Sequence, residues 1–440
     1  MVEITKMKAE KQKAEKEAFF CTTKELSRLG LEQIPTQFQS HKHLIYSSPA
    51  TLAFNSPGAE GFGVKRAGLA VPDSIMLIVA PGCCGRNTSL ISSMKEYNDR
   101  FYYLMMDETD IVTGRHLKKI PKAVEEICSV CPKKPSVVMI CITCVDALLG
   151  TDMERVCKKA EEQVEIPVRP CYMYALTREG RKPPMVHVRQ SLYSLLEPGK
   201  KKGNVVNLLG FFSPLVDDCE IYDLLHSAGV KTIHEISRCK DYMEYQTMSE
   251  ANFNLVLHHE ARFAAEDFHN RLQIPFIELR RLYQIDKIEN QYHALGNALG
   301  VAFYDEKYKK QAEDALEKFR QKCPDASFAI GECLNADPFE LSLALIRYGF
   351  SVPEIYGTIT VENFTYIRSL AKISPETKVF SNMEPTMIYY DPAKSDVNLA
   401  IGKDACYYHP DCPYVMWNGE EQPYGYAGVR RLFEQLLEVV

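Results

Sequence analysis

The sequence lacks the glycine motifs that hold nucleotide phosphates. No G-x-x-x-x-G-K-[S/T] loop is present, and no G-x-G-x-x-G turn opens a helix after a strand-like segment. In both motifs backbone N–H groups cradle the phosphates, so their absence argues against a site for ATP or a dinucleotide on this chain. If the chemistry of the protein depends on ATP, another protein must bind the nucleotide.

Excess positive charge and long apolar segments are also missing. The 440 residues carry 52 Lys and Arg against 58 Asp and Glu, a formal net charge of −6, which leaves no electrostatic footprint for nucleic acid. No segment approaches the ~20 apolar residues of a membrane helix, and the Lys- and Glu-rich start has no apolar core of a secretory signal. We therefore expect a cytoplasmic protein that binds neither nucleic acid nor membrane. Most of its 15 cysteines should be reduced and buried.

Short β-branched apolar segments alternate with helix-like segments from about residue 74. Strand-like segments of the first series lie at 75–80, 101–106, 137–142 and 166–171, and helix-like segments at 87–99, 116–130 and 151–163. A second series begins at 204 and a third at 327. This alternation is typical of parallel sheets that are covered by helices on both faces.

The three series predict an α/β fold with three Rossmann-like domains, each a mostly parallel sheet flanked by helices, around a central cleft. The charged break Glu197-Pro-Gly-Lys-Lys-Lys-Gly203 separates the first two series. Residues 2–18 repeat Glu and Lys at helical spacing. We therefore place an N-terminal helical arm at 1–44 and α/β domains at 45–203, 204–325 and 326–440.

Cysteines follow two of the predicted strands at the point where each strand ends. Cys83 and Cys84 come after Ala80-Pro81-Gly82, and Cys144 comes after the segment 137–142. In open α/β sheets ligands bind outside the carboxyl ends of the strands, and thiolates there favour a soft metal or a redox site. Neighbouring side chains point apart, so we expect only one of Cys83 and Cys84 to be a ligand. The alternative is that both are turn cysteines without a function.

A second arrangement of cysteines has the spacing of a zinc ribbon. Cys128, Cys131, Cys141 and Cys144 read C-x2-C-x9-C-x2-C. The nine residues in the middle contain a predicted buried strand rather than a knuckle, and Cys141 lies within that strand. We therefore favour Cys144 as a ligand and the other three as core thiols.

Histidines and two further cysteines provide weaker candidates. His258 and His259 end a predicted strand at the binding edge, where a histidine titrates in the range useful for proton transfer. The alternative for this pair is a hydrogen-bonded core or surface histidine. Cys406, His409 and Cys412 have ligand-like spacing on a presumed loop, which suits either a metal site or the lining of a substrate cavity.

Four segments, in this order, resemble motifs of the nitrogenase component 1 family. Pro81-Gly-Cys-Cys84-Gly resembles the turn that carries a cluster cysteine, and Thr143-Cys144 through Asp152 resembles the T-C-x-x-x-x-I-G-D-D motif. Asn335-Ala-Asp-Pro-Phe resembles the opening of the third domain, and Pro423-Tyr-Gly-Tyr-Ala-Gly428 the terminal P-Y-x-G-Y-x-G segment. The family includes the nitrogenase α and β subunits, cofactor-assembly paralogues and protochlorophyllide-reductase-like enzymes.

The resemblance implies a [4Fe–4S] or related iron–sulfur cluster at a subunit interface, with Cys84 and Cys144 as ligands. The family's first cluster cysteine has no counterpart in 54–61, which leaves Ser56, Glu60 or a thiolate of the partner subunit in its place. His258 falls where the nitrogenase α subunit has its cofactor cysteine, and no histidine falls near Val415 at the second cofactor position. The resemblance therefore argues against dinitrogen reduction at an iron–molybdenum cofactor.

The resemblance also implies two partners, a homologous component 1 subunit in a homo- or heterodimer and an ATP-dependent Fe–S reductase. We expect an oxidoreductase subunit that passes electrons through the interface cluster to a substrate or second metallocofactor in the cleft. His258, His259 and His409 are the candidate catalytic residues, and Cys406 and Cys412 the candidate cofactor ligands. The alternatives are a scaffold for metallocluster assembly and a degenerate structural partner of a catalytic subunit.

Overall fold

The computed structural model describes residues 17–39, 48–54, 63–82, 97, 99–173 and 182–440. Within these ranges the chain forms fourteen strands. In chain order they are Phe20–Thr22 (β1), Ile75–Ala80 (β2), Phe101–Met105 (β3), Val138–Ile142 (β4), Val168–Tyr172 (β5), Val205–Leu209 (β6), Thr232–His234 (β7), Phe253–Val256 (β8), Phe276–Glu278 (β9), Ser327–Ile330 (β10), Ser351–Tyr356 (β11), Lys378–Phe380 (β12), Leu399–Ile401 (β13) and Tyr414–Val415 (β14).

Helices connect most of these strands. In the described parts of the chain they are Thr23–Leu29, Pro49–Phe54, Val64–Gly68, Glu108–Thr113, His116–Val130, Cys144–Leu149, Met153–Val164, Pro184–Tyr193, Glu220–Ser227, Tyr242–Gln246, Arg262–Leu272, Ile285–Leu299, Glu306–Lys322, Pro338–Arg347, Phe364–Ile373, Lys403–Tyr408 and Gly425–Val439. No helix in these ranges is long and apolar enough to cross a bilayer. The helix predicted at 87–99 falls largely outside the described residues.

The first two sheets are four-stranded and fully parallel. Their strand orders are β3-β2-β4-β5 and β7-β6-β8-β9. The central strands β2, β4, β6 and β8 are buried along their whole length, which explains their continuous apolar sequences. The predicted α/β class with parallel sheets flanked by helices is confirmed.

The third sheet has six strands in the order β1-β12-β11-β10-β13-β14. All neighbours in it are parallel except β1, which pairs antiparallel with β12 through Phe20 and Phe380. Strand β1 lies in the segment that the sequence predicted as a helical arm. The helical pattern at 2–18 falls almost wholly outside the described residues, and the prediction missed the strand that follows it.

By its internal contacts the chain divides into two compact units. One contains residues 1–54, 315–418 and 432–440, and the other contains residues 55–314 and 419–431. The third sheet belongs to the first of these units, and the two four-stranded sheets belong to the second. The predicted domain boundaries at 44, 203 and 325 remain predictions.

Two of the four segments that resemble family motifs form the starts of helices. Asp337 accepts hydrogen bonds from the backbone N–H groups of Phe339 and Glu340 at 2.9 and 3.0 Å, which caps the helix Pro338–Arg347. Gly425 has a φ of +58°, and a Cβ there would come within 1.8 Å of the Glu220 carboxylate. That carboxylate in turn accepts from the N–H groups of Tyr426 and Ala427 at the start of the last helix.

Candidate functional site

Cys144 lies at the carboxyl end of β4, as the sequence predicted. It is the first residue of the helix Cys144–Leu149, and Thr143 is the residue before that helix. The Thr143 hydroxyl is buried and has no hydrogen-bond partner among the described residues. Only the backbone of Cys144 is described, and Cys83, Cys84 and Ser56 lie outside the described residues.

A buried polar network anchors the helix that begins at Cys144. Asp146 accepts a hydrogen bond from the Thr151 hydroxyl at 3.1 Å and lies 2.9 Å from His116 Nε2. The other ring nitrogen of His116 is 3.0 Å from the carbonyl oxygen of Asp110. The second oxygen of Asp146, Oδ2, is enclosed and has no hydrogen-bond partner in the described part of the chain. The network fixes the first turn of the helix from one side.

Three of the four cysteines with zinc-ribbon spacing have described side chains, and these lie on opposite faces of the first sheet. Cys141 is fully buried and packs with Met76, Met139 and the core shared by the first two sheets. Cys128, in the last turn of the helix His116–Val130, and Cys131, which follows that helix, pack against the core on the other face. The Cys131 thiol is 3.1 Å from the Tyr102 hydroxyl. Because the sheet separates them, these thiols cannot converge on one zinc ion.

His258 follows β8 at the carboxyl edge of the second sheet. Its ring stacks on that of His259 at 4.5 Å and meets the ring of Phe211 edge-on at 5.7 Å. Gly210 permits this close approach of two strand ends, because a Cβ there would lie 2.8 Å from the His258 backbone nitrogen. About a third (34%) of the His258 side chain is exposed, so the ring is accessible to a ligand.

Two arginines approach His258 from neighbouring segments. Arg189 is buried and donates to the Gly210 carbonyl oxygen at 2.6 and 3.1 Å and to Glu260 at 2.7 Å. Arg281 lies over the ring of Phe211, with 4.3 Å between its Cζ and the ring centroid. Burial and the positive charge of Arg189 hold the pKa of His258 well below its usual range. The imidazole is therefore neutral at physiological pH, which is the form that ligates metals.

His409 lies in a different hydrogen-bonded group, in the unit of the third sheet. Its Nε2 is 3.1 Å from the Glu354 carboxylate and 2.9 Å from the Tyr390 hydroxyl, which itself donates to Glu354 at 2.7 Å. The side chains of His409 and Glu354 are almost fully buried. Burial raises the pKa of Glu354, but the hydrogen bonds from His409 and Tyr390 outweigh it and leave the pKa lowered.

The two cysteines near His409 have separate surroundings. Cys406 lies in the helix Lys403–Tyr408 and packs in the core with Tyr356 and Phe380. Burial, with the nearby Asp404, raises the pKa of its thiol to about 12. The thiol of Cys412 is half-buried and lies 3.5 Å from the Val397 carbonyl oxygen. Both environments favour the protonated thiol over the thiolate that a metal needs.

No three His, Cys, Asp or Glu side chains in the described ranges are arranged to hold a metal ion. At the predicted binding edge His258 is partly exposed and His259 is exposed, whereas His409 is enclosed. Sequence reasoning missed Arg189, Glu260 and Arg281, which surround His258. Of these three residues, only Glu260, two positions after His258, lies close enough in the sequence to have been predicted as a neighbour of that histidine. The arginines lie 69 residues before and 23 residues after that histidine (258 − 189 and 281 − 258).

Comparison with known proteins assigns the family. The sequence profile described as "Nitrogenase component 1 type Oxidoreductase" matches residues 60–440. The chain belongs to this family. The resemblance to the nitrogenase component 1 family, which we inferred from four sequence motifs, is therefore confirmed.

The curated relatives include several proteins named nitrogenase iron-molybdenum cofactor biosynthesis protein NifE. The one from Sinorhizobium fredii is 25% identical over 89% of this chain and 82% of its own length. The one from Nostoc is 25% identical over 61% of this chain, and the match spans 58% of that protein. The one from Mesorhizobium japonicum is 26% identical over 89% of this chain and 82% of its own length.

Solved structures of the nitrogenase Cp1 share the fold. The structure at pH 6.5 has a TM-score of 0.69 and 19% sequence identity. The match covers 86% of the chain described here and 90% of the Cp1 chain. The structure at pH 5 has a TM-score of 0.59, 16% identity and coverage of 87% and 89%. At these identities the likeness concerns the fold.

Proposed function

We propose that the protein is a scaffold subunit for the assembly of a metallocluster, which holds a cluster precursor and releases it to an acceptor. The observation that carries this proposal is the name shared by the relatives, which are iron-molybdenum cofactor biosynthesis proteins. The alternative is an oxidoreductase subunit that passes electrons through a cluster to a substrate. Both functions use the same fold, so the proposal depends on how the site holds its ligand.

His258 supports a holding role. Its imidazole is neutral, partly exposed and at the carboxyl edge of the second sheet. A neutral imidazole is an uncharged metal ligand that need not lose a proton before it binds. A thiolate at this place would bind iron more firmly. We therefore assign His258 as the residue of this chain that holds the precursor, with its ring stacked on that of His259.

Cys84 and Cys144 are the proposed ligands of a second group, an iron–sulfur cluster shared with a homologous subunit. The observation that supports a bound group at this strand end is the enclosed hydroxyl of Thr143, which has no hydrogen-bond partner among the described residues. Two thiolates cannot complete a four-iron cluster, so the partner subunit must supply the others. When bound, such a cluster supplies one-electron transfer from an ATP-dependent Fe–S reductase.

The test is anaerobic purification with the cognate partner subunit, followed by iron quantification and EPR. Cys144→Ala and Cys84→Ala should each abolish the signal of the shared cluster, whereas the control Cys128→Ala should keep it. His258→Ala should lose the precursor but keep the shared cluster. A preparation that never holds iron, alone or with its partner, contradicts the cluster assignment.

A second measurement separates the scaffold from the enzyme. The loaded protein is mixed with an apo-acceptor from the same cells, and metal transfer is followed by gel filtration and metal analysis. Transfer that depends on His258 supports the scaffold. Substrate-dependent ATP hydrolysis by the reductase partner, with no transfer of metal, would instead establish the oxidoreductase.

A further inference from the structure

A cavity of about 190 Å³ opens beside the third sheet. Residues of strands β1, β11 and β12 and of the segment 389–394 line it, and all of them belong to one compact unit of the chain. Glu354 and Phe380 in this lining are almost fully buried, whereas Phe20 and Tyr389 are exposed. The cavity therefore extends from the core to solvent, which lets a ligand enter.

Two opposite charges on neighbouring strands line this cavity. Glu354 of β11 and Lys378 of β12 are paired in the parallel register, so their side chains leave the same face of the sheet. The two side chains nevertheless form no ion pair. The ammonium group of Lys378 lies over the ring of Phe20, 5.2 Å from its centroid, and within the described ranges no carboxylate lies at ion-pair distance from it. The cavity therefore offers a ligand both a carboxylate and an ammonium group.

The carboxylate of Glu354 is ionised and held in place. Its Oε2 accepts hydrogen bonds from the hydroxyls of Tyr390 at 2.7 Å and Tyr356 at 3.1 Å. The same oxygen lies 3.1 Å from His409 Nε2. Burial raises the pKa of Glu354, but the hydrogen bonds with His409 and Tyr390 outweigh burial and lower it. A carboxylate has about four acceptor sites, so Glu354 can accept one further donor from the cavity, and little freedom is lost when that donor binds.

Aromatic rings form much of the remaining lining. The rings of Phe20 and Phe380 lie 5.6 Å apart between their centroids, and the ring of Tyr390 meets that of Phe380 edge-on at 5.5 Å. Such a wall favours a ligand with an apolar or aromatic part. A closed apolar cavity of ~150 Å³ already holds benzene. The open cavity of about 190 Å³ therefore has room for a molecule the size of one amino acid.

The lining favours a molecule that carries both charges. A simple cation would be repelled by Lys378, and a simple anion would be repelled by Glu354. Each of them would also leave one of the two charged groups without a partner, which is unfavourable where water is displaced. A zwitterion pairs with both groups, because its ammonium end donates to Glu354 and its carboxylate end accepts from Lys378.

We propose that this cavity is a binding site for an α-amino acid with an apolar side chain. The charged ends of the ligand pair with Glu354 and Lys378, while its side chain packs on the aromatic wall. His409 acts as a positioning residue, because it holds the Glu354 carboxylate and does not line the cavity. The site goes beyond the proposed metallocluster function, since His258 and Cys144 belong to the other compact unit.

The test is isothermal titration calorimetry on the full chain, with L-phenylalanine as the probe. Two analogues separate the contributions of the two charges. Phenethylamine lacks the carboxylate of phenylalanine, and 3-phenylpropionate lacks its ammonium group. Each analogue should bind about tenfold or more weakly than phenylalanine, which is the loss expected when one charge-assisted hydrogen bond is missing.

Variants of the two charged residues locate the ligand in the cavity. Lys378→Met should weaken the binding of phenylalanine about tenfold or more and leave that of phenethylamine unchanged, because phenethylamine has no carboxylate to lose a partner. The matched control is Lys372→Met, which removes an exposed lysine of the same unit. Glu354→Gln should weaken the binding of phenylalanine and phenethylamine but not that of 3-phenylpropionate. Circular dichroism checks that this buried variant is folded.

The lysine variants decide the outcome. Weaker binding of phenylalanine to Lys378→Met than to Lys372→Met, with the affinity for phenethylamine retained, supports the site. Equal phenylalanine affinities of the two methionine variants overturn it, as does an equal loss of both ligands in Lys378→Met or no binding of phenylalanine to the wild-type chain up to ~10 mM. Lys378 is partly exposed, so this decision does not depend on the folding of Glu354→Gln. The experiment contains no iron, and its result is therefore independent of whether the protein holds a metallocluster.

Discussion

The imidazole of His116 and the carboxylate of Asp146 form a buried pair, with 2.9 Å between Nε2 and Oδ1. Their side chains are 1% and 0% exposed, so water does not compete for the contact. Asp146 lies in the first turn of the helix that begins at Cys144. The pair therefore ties the proposed cluster ligand to the long helix His116–Val130.

Removing His116 should destabilise this unit strongly. His116→Ala leaves the Asp146 carboxylate buried without its main partner, which costs about 3 kcal/mol or more. The thermal midpoint should fall by several degrees, measured by circular dichroism against the exposed-surface control Glu125→Ala. A midpoint equal to that of the control would contradict the role assigned to the pair.

Gly425 should not tolerate a side chain. Gly425→Ala places a Cβ 1.8 Å from the Glu220 carboxylate and 2.3 Å from the Tyr292 hydroxyl, at a φ of +58°. Together the strain and the clash should cost about 2 kcal/mol or more and loosen the start of the last helix. Hydrogen exchange at the N–H groups of Tyr426 and Ala427 measures the loosening. Gly419→Ala is the control, because a Cβ there meets no atom of the described residues within 4 Å.

His258 should remain neutral in mildly acid solution. The folded chain holds the pKa of His258 well below the ordinary value of 6.5, mainly through burial and then through Arg189. Its contribution to stability is therefore complete above pH 6.5 and is lost as the pH falls below that value, because the unfolded chain takes up the proton first. Histidine NMR follows the titration, with His258→Asn to assign the signal. A midpoint at or above pH 6.5 would rule out the neutral ligand.

Cys406 should react slowly with alkylating reagents. Its pKa of about 12, against an ordinary 9.0, leaves very little thiolate at pH 8. Labelling with iodoacetamide, read by peptide mass spectrometry, should be at least about tenfold slower in the native chain than in the urea-unfolded chain. Equally fast labelling in both states would show that the thiol is available as a ligand.

The fold could be predicted from the sequence where apolar segments are short, β-branched and regularly spaced. Strands β2 and β4 follow directly from such segments, since central parallel strands are buried on both faces. Strand β1 could not be predicted, because Phe20–Thr22 is three residues long and its partner β12 lies far along the chain. The pairing depends on the finished sheet rather than on local sequence.

The site was predictable only in part. The position of His258 at a strand end follows from the periodicity of the segment before it. The arginines around it do not, because Arg189 comes from the helix Pro184–Tyr193 and Arg281 from the segment after β9. The enclosed state of His409 was not foreseen either, since its partner Glu354 comes from β11 and the spacing Cys406-x-x-His409 suggested an open loop.

The pairing of strand β1 has a consequence for the order in which the protein folds during its synthesis. Phe20 pairs with Phe380, a separation of 360 residues (380 − 20). At ribosomal rates of about 5–20 residues per second, Phe20 waits ~20–70 s for its partner to be synthesised. Until then β12 does not exist, and the strand segment Phe20–Thr22 has no partner in the third sheet. The antiparallel edge of the third sheet is therefore completed only after β2 to β12 have all been synthesised.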